Sequence, residues 1–184
     1  MPIGSYAVVP YLAHALSVSR PASVLDLGMG FGGGGVIVRE WLDLGTQPWR
    51  TFLVGVEVWE SYRGPVWDLY NVILLETIEA YVARTCDSFD CVMLNDVLEH
   101  FEIHRGRALL SEIKRLVAPG GTFLVSTPAQ FFEQGAVYGN DWETHRSLWT
   151  VDDLAAHGFD VQIVGRADFL CGQALFGQWR PPSR

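Results

Sequence analysis

The stretch VLDLGMGFG at residues 24–32 decides the fold of this 184-residue chain. Its first four residues are apolar except for Asp26, as expected of a buried parallel strand, and the strand then breaks into Gly28, Gly30 and Gly32. Glycine tolerates positive φ and has no Cβ, so a ligand can approach the backbone of such a loop closely. The stretch therefore predicts a strand, loop and helix that bind a nucleotide-like cofactor.

The same loop also satisfies the dinucleotide pattern G-x-G-x-x-G through Gly28, Gly30 and Gly33, with Glu57 near the distance expected of a ribose-binding acid. On its own, that pattern is weak evidence. It does not call for an acid two residues before the first glycine, where this chain has Asp26. The form h-h-D-h-G-x-G-x-G, with h apolar, more closely resembles motif I of the class I S-adenosylmethionine-dependent methyltransferases.

Three later segments resemble the same family, and the agreement covers about residues 22–165. FLVGVE at 52–57 is similar to the family's second strand, which ends in the acid that holds both ribose hydroxyls. FDCVMLNDVLEH at 89–100 resembles the fourth-strand motif and is the most specific segment. LVAPGGTFLVSTP at 116–128 resembles the helix end, Pro-Gly-Gly turn and fifth strand. A nicotinamide dehydrogenase has no reason to carry the segments at 89–100 and 116–128, so a nicotinamide enzyme is the least favoured alternative.

Length and charge limit the other classes of protein. A chain with 49% hydrophobic residues can form one domain with a sizeable core, and we predict a single domain over 1–184, with a leading helix within 1–20 and a frayed tail at 180–184. The net charge of −8 argues against unaided binding to nucleic acid, which relies on clustered lysine and arginine. A membrane surface is disfavoured for the same reason, and no apolar stretch approaches the length of a membrane span.

Cysteine usage favours a reducing compartment. Cys86, Cys91 and Cys171 form neither a C-x-x-C pair nor an even disulfide set, and we interpret them as buried small apolar residues. The N-terminus lacks the basic region of a signal peptide. We therefore predict a cytoplasmic protein.

Apolar runs alternate with helical periodicity along the chain, which predicts an α/β fold. The expected architecture is a single-domain, Rossmann-like, doubly wound sheet of about seven strands, mostly parallel, with one antiparallel strand near the C-terminus. In the second helix we expect Val36, Val38, Trp41 and Leu42 to face the sheet. The predicted helices are 5–19, 34–44, one from 78, 104–117 and one between Thr150 and Gly158, with a helix or turn at 60–71; the predicted strands are 23–28, 52–57, 73–75, 90–95, 121–127, 159–166 and 171–179.

In such a sheet the ligand lies outside the carboxyl ends of the first, second and fourth strands. The resemblance implies that the glycines admit the methionine and ribose portions of S-adenosylmethionine and that Glu57 accepts two hydrogen bonds from the ribose. Asp26 would engage the amino end of the cofactor or, alternatively, only tie the loop together. Thr77 or Glu76 would meet the adenine. The predicted cofactor-binding residues are Asp26, Gly28, Gly30, Gly32, Glu57, Thr77 and Asn95.

Candidate catalytic residues follow the fourth strand and recur downstream. Asp96, Glu99 and His100 are spaced so that a helical turn places them on one face. WETHRSLWT at 142–150, which contains His145, resembles the H-x-x-x-W/F-T segment that faces the acceptor in ubiquinone-type O-methyltransferases. We predict that Asp96, His100 and His145 are catalytic. Alternatively, Asp96 and Glu99 only stabilise the positive end of the next helix.

The four residues Asp96, Glu99, His100 and His145 also suggest a divalent metal. Their spacing resembles the metal-binding E-x-x-E-H plus distant histidine of small-RNA 3′-terminal 2′-O-methyltransferases, with Asp96 in place of the first glutamate. Many similar enzymes keep D-x-x-E-H without a metal. A metal is therefore considered but not expected.

Aromatic residues in the later loops predict the kind of acceptor. We expect them to roof an acceptor pocket and to favour an apolar or aromatic small molecule. Little precedes the first strand, so a helical lid is short or missing, and the site is either open or completed by a second subunit in a homodimer. The predicted roof consists of Phe101, Phe131, Phe132, Tyr138, Trp142 and Trp149.

Together these features predict a methyltransferase that moves a methyl group from S-adenosylmethionine to a small-molecule acceptor at an oxygen, with nitrogen or carbon as the less favoured atom. One alternative is a terminal-nucleotide or RNA methyltransferase, which the acidic charge and the lack of a basic segment disfavour. Another is a pseudoenzyme that binds the cofactor and supports a partner. Substitutions in the fourth-strand motif would favour a pseudoenzyme, but residues 95–100 match that motif.

Overall fold

The computed structural model describes residues 5–166 and 172–182. Within them the chain forms a seven-stranded sheet of order β3-β2-β1-β4-β5-β7-β6. The strands are β1 Ser23–Leu27, β2 Phe52–Glu57, β3 Val72–Leu75, β4 Phe89–Asn95, β5 Val117–Pro128, β6 Asp160–Gly165 and β7 Gln173–Trp179. The α-helices are α1 Val9–Ser19, α2 Gly33–Leu42, α3 Ile78–Arg84, α4 Ile103–Ile113 and α5 Val151–Ala156.

The sheet is parallel from β1 to β5, and only β7 runs against its neighbours in the described part of the chain. The predicted α/β fold with a mostly parallel, doubly wound sheet is therefore confirmed. Strand order reverses between β1 and β4, because β2 and β3 lie on one side of β1 while β4 and β5 lie on the other. The carboxyl ends that flank this reversal are where ligands bind in open α/β sheets.

Both faces of the sheet are covered, which explains why its central strands read as continuous apolar runs. On one face Leu25 and Leu27 of β1 pack in the layer that contains Leu110 of α4. On the other face Val24 packs in the layer that contains Leu16 of α1 and Val38 of α2. Alternate residues of β1 thus belong to opposite layers, and this fixes which way each strand end faces.

The packed face of α2 differs from the predicted one. Val36 and Trp41 are 41% and 44% exposed, whereas Gly35, Val38 and Arg39 are buried. Arg39 is buried because its guanidinium is extensively hydrogen-bonded: it donates to Asp43 at 2.6 Å, to the carbonyls of Leu69 and Thr51 at 2.8 Å each, and to the Asn71 side chain at 2.8 Å. Hydrogen bonding therefore outweighs apolar periodicity in this helix.

Other local predictions hold, except that Cys86 is exposed whereas Cys91 is buried. In the leading helix the apolar residues at helical spacing, Leu12, Ala15 and Leu16, are buried, and Thr150 caps α5 in a capping box with Asp153. Residues 60–71 form two short 3₁₀ turns, Glu60–Tyr62 and Pro65–Leu69, rather than an α-helix. The predictions for residues 1–4, 167–171 and 183–184, Cys171 among them, fall outside the described residues. Across the described ranges, none of the helices is both long and apolar enough to cross a membrane.

Candidate active site

A cavity of about 1060 Å³ opens at the carboxyl ends of β1, β2 and β4. Pockets for small ligands typically run from about 300 to 1,000 Å³, so this volume can hold a cofactor and a small acceptor together. Its wall includes Gly28, Gly30 and Glu57 on one side and His100 and His145 on the other. Residues far apart in sequence are therefore brought to one site, as predicted from the strand order.

Glu57 is held firmly at the end of β2 in the cofactor half of the cavity. The backbone N–H of Gly30 donates to one carboxylate oxygen at 2.9 Å, and that of Trp59 donates to the other at 2.8 Å. Burial raises the pKa of Glu57 above its ordinary value. Each oxygen keeps a further lone pair, so the carboxylate can still accept hydrogen bonds from a diol.

Asn95 provides a second sign of a ligand in this half. It lies at the end of β4 in the cavity wall, and its Oδ1 is buried without a hydrogen-bond partner among the described residues. An unpaired buried acceptor is costly, so a ligand donor at this position is expected. Thr77 and Glu76 also line the cavity, where Thr77 caps α3 and Glu76 pairs with Arg84.

Two adjacent imidazoles mark the acceptor half. The ring centroids of His100 and His145 lie 5.1 Å apart. Nδ1 of His100 faces the Thr144 carbonyl at 3.3 Å, and Nδ1 of His145 faces the Phe132 carbonyl at 3.0 Å. A ring nitrogen that meets a carbonyl carries the proton, which leaves each Nε2 as an acceptor.

Both imidazoles are suited to remain neutral near pH 7. Burial lowers the pKa of His100 to about 4, and it also lowers the pKa of His145. A neutral imidazole with an unprotonated Nε2 can take a proton from a bound hydroxyl.

Glu99 lies beside the histidine pair. It is buried and accepts a hydrogen bond from the Thr127 hydroxyl at 2.9 Å, and burial together with the charge of Asp96 raises its pKa well above the ordinary value. Ligand atoms of Glu99, His100 and His145 lie within 4.8 Å of one another, the one such group among the described residues. Two imidazoles with fixed Nδ1 and one carboxylate fit a divalent transition metal by donor type, although a cation would have to reverse the preference of Glu99 for its neutral form.

Asp96, which the sequence placed with this set, is not part of the group. Its carboxylate accepts from the Ser5 backbone N–H and, at 3.1 Å, from the Ser126 hydroxyl. The four-residue ligand set is therefore reduced to three. Asp96 still lines the cavity, and its predicted catalytic role stays a prediction.

A family model described as a methyltransferase domain matches residues 8–161 of the chain. The chain belongs to this methyltransferase family. No curated protein sequence matches it.

Solved methyltransferases share the fold at low sequence identity. An O-methyltransferase family protein from Burkholderia thailandensis is 16% identical with a TM-score of 0.66; the match covers 96% of this chain but only 56% of that protein. A 1,6-didemethyltoxoflavin N1-methyltransferase from the same organism, bound to S-adenosylhomocysteine, is 21% identical with a TM-score of 0.66, covering 94% and 77%. NodS, an N-methyltransferase from Bradyrhizobium japonicum bound to S-adenosylhomocysteine, is 14% identical with a TM-score of 0.67, covering 95% and 86%.

Two predicted cofactor residues of the methyltransferase lie behind the cavity wall. Asp26 is 3% exposed and accepts a hydrogen bond from the Tyr70 hydroxyl at 2.6 Å. Gly32 has φ +92°, and a Cβ there would meet Val66 at 2.9 Å. Neither residue lines the cavity, so these contacts favour the alternative in which Asp26 ties the glycine loop to the fold.

The predicted roof of the acceptor half is correct for four of its six aromatic residues, because Phe101, Phe131, Phe132 and Trp142 line the cavity. The other two predictions are wrong. Tyr138 is 78% exposed and lies outside the cavity wall, and Trp149 is 1% exposed. Trp149 packs in the core, where its indole N–H donates to the Leu98 carbonyl at 3.1 Å.

Residues 129–149, which we call the acceptor loop, also supply polar groups that the sequence reasoning missed. Asn140, Glu143 and Arg146 line the cavity. Arg146 donates to the carbonyls of His100 and Thr144 at 3.0 and 2.8 Å, which holds the loop against the turn after β4. The loop has no periodic pattern, so no sequence signal distinguished these side chains from a solvated surface.

The buried Asp26 should make stability fall as pH rises. Burial raises its pKa from 3.8 to about 6, so the folded state binds more protons than the unfolded state between these values. The free energy of unfolding therefore decreases with rising pH, and this group contributes up to about 3 kcal/mol of the decrease between about pH 4 and 6. Asp26→Asn should lose this dependence in urea unfolding measured from pH 4 to 8, whereas Asp68→Asn, at an exposed carboxylate, should follow the wild type. Parallel curves for Asp26→Asn and the wild type would contradict the assignment.

Proposed function

We propose that this methyltransferase methylates a hydroxyl oxygen of a small apolar or aromatic acceptor, with His145 as the base that takes the hydroxyl proton. The observation that supports this most directly is the pair of imidazoles whose Nδ1 atoms each face a backbone carbonyl oxygen. Both keep a free Nε2 in the half of the cavity lined by Phe131, Phe132 and Trp142.

In this proposal the cofactor half binds S-adenosylmethionine, which supplies a methyl group on a sulfonium. Glu57 accepts hydrogen bonds from the ribose hydroxyls, and Gly28 and Gly30 admit the methionine portion. Asn95 Oδ1 receives a donor from the bound molecule, and Thr77 lies toward the adenine. Each of these residues lines the cavity.

The acceptor half holds the hydroxyl in line and removes one proton. As the O–CH₃ bond forms, the S–CH₃ bond and the O–H bond break; the sulfur leaves as a neutral thioether, and the proton passes to Nε2 of His145. His100 packs against His145, and the Phe132 carbonyl fixes the tautomer of His145. Positioning of this kind supplies much of the rate enhancement, because no covalent intermediate with the protein is needed.

A nucleic-acid acceptor is less well supported. The two arginines in the cavity wall both pair with acids: Arg105 with Glu79 at 3.0 Å and Arg146 with Asp141 at 3.1 Å. With a net charge of −8, the chain offers little to a phosphate backbone. The homodimer remains a prediction, which light scattering can test.

The proposed function is tested by incubating the enzyme with S-adenosylmethionine and separate pools of phenols, apolar alcohols, aromatic amines and short RNA. We expect S-adenosylhomocysteine to form with the hydroxyl pools, together with a product heavier by one CH₂. Product from amines or RNA alone would contradict the proposed acceptor, and no turnover with any pool would favour the pseudoenzyme.

The same reactions in EDTA should run unchanged. Activity that requires a restored divalent cation would instead assign proton removal to an ion held by Glu99, His100 and His145.

A further inference from the structure

Tyr62 joins the two halves of the cavity. It lies in the turn after β2, is 4% exposed, and its ring centroid is 4.6 Å from that of Phe31 in the glycine loop. Its hydroxyl donates to Glu143 at 2.9 Å and accepts from the Asn140 side chain at 3.0 Å. One side chain thus contacts the glycine loop and also bonds to the acceptor loop, about 80 residues downstream.

On the cofactor side, Tyr62 is linked through Trp59 to Glu57, the carboxylate proposed to bind the ribose. Its backbone N–H donates to the Trp59 carbonyl at 3.1 Å, and the Trp59 N–H donates to Glu57 at 2.8 Å. A molecule bound to Glu57 and the glycine loop would therefore restrain both segments that hold the Tyr62 ring.

On the acceptor side, the bonds continue toward His145. The Gln134 side chain donates to the Glu143 carbonyl at 2.7 Å, and the His145 N–H donates to the Gln134 carbonyl at 2.9 Å. Asn140 is 1% exposed and Glu143 is 9% exposed, so their polar groups have few alternative partners. Buried hydrogen-bonded clusters of this kind specify one arrangement, because breaking them leaves unsatisfied groups.

We propose that Tyr62 is a positioning residue that transmits cofactor binding to the acceptor loop, through its bonds to Glu143 and Asn140. Binding in the cofactor half fixes the segments around Phe31 and Trp59, and these fix Tyr62. Tyr62 then holds the loop that presents His145. The inference rests on S-adenosylmethionine as the cofactor and is independent of which acceptor is methylated.

Hydrogen exchange with S-adenosylhomocysteine as the probe tests this without an acceptor. In the wild type we expect the probe to slow amide exchange in peptides from both the glycine loop and residues 129–149. In Tyr62→Phe the probe should still protect the glycine loop, with a Kd within about threefold of wild type, while its effect on 129–149 falls by about tenfold, a typical size for coupling between sites. Tyr138→Phe, in the same loop but highly exposed, should behave like the wild type.

Two variants on the other side of the contact make the test independent of Tyr62. Glu143→Ala should uncouple the loop as Tyr62→Phe does, whereas Glu143→Gln keeps an oxygen that accepts the Tyr62 hydroxyl and should restore the coupling; these two decide the question if Tyr62→Phe does not fold. Probe-dependent protection of 129–149 that survives in Tyr62→Phe and Glu143→Ala would overturn the proposal. So would a loss of probe affinity equal to the loss of loop protection, which would indicate a purely structural role. A wild type that does not bind the probe would contradict the cofactor assignment instead.

Discussion

Replacing His145 with alanine should lower turnover by about 10²–10⁴-fold, the range for loss of a general base, while leaving affinity for S-adenosylhomocysteine nearly unchanged. The reason is that the imidazole lines the cavity among residues of the acceptor half. Its side chain contacts the rings of His100, Phe131 and Phe132. Removing it therefore affects proton transfer rather than cofactor binding.

The measurement is kcat with an acceptor from the hydroxyl pool, together with calorimetric binding of S-adenosylhomocysteine. His104→Ala, an exposed histidine on α4, is the matched control and should leave both unchanged. Because burial lowers the pKa of His145, the wild-type rate should be constant at and above pH 7 and fall at acid pH as the imidazole takes up a proton. An equal loss of cofactor affinity in His145→Ala would show that the residue is structural.

The parts of this site that the sequence predicted are those that depend on local patterns. Gly28, Gly30, Glu57 and Asn95 end or follow apolar strands, and parallel strands bring their carboxyl ends to the same edge of the sheet. Their convergence therefore follows from the order of the elements alone. No side-chain packing had to be known.

The misplaced residues depend on partners distant in the chain. Asp26 belongs to the loop pattern, but its position behind the wall is set by Tyr70, a residue of the 3₁₀ region whose role no pattern reveals. Trp149 is predicted in the roof because it is an aromatic residue of a later loop, yet it fills the space over Gly106, where a Cβ would collide with its ring. Tertiary packing decides such positions, and an aromatic residue in a loop carries no signal of which way it faces.

Glu57→Ala should weaken binding of S-adenosylmethionine by about 1.5–3 kcal/mol, the range for hydrogen bonds that involve a charged group. The carboxylate is fixed by the backbone N–H groups of Gly30 and Trp59, so it meets the ribose without first losing conformational freedom. The same contacts mean that alanine also leaves two N–H groups without their acceptor. Part of the measured loss will therefore come from a looser glycine loop.

Glu57→Gln separates the two effects, because its amide oxygen keeps one acceptor for a backbone N–H while the charge and the second acceptor are lost. Calorimetry should show intermediate affinity for Glu57→Gln, the weakest affinity for Glu57→Ala, and no change for Glu60→Ala, an exposed acid three residues away. NADH should bind none of these proteins, since the loop resembles that of methyltransferases rather than nicotinamide enzymes. Affinity for S-adenosylmethionine that is unchanged in Glu57→Ala would contradict the ribose assignment. It would also move the cofactor away from the end of β2, where Glu57 and the glycine loop now share a hydrogen bond.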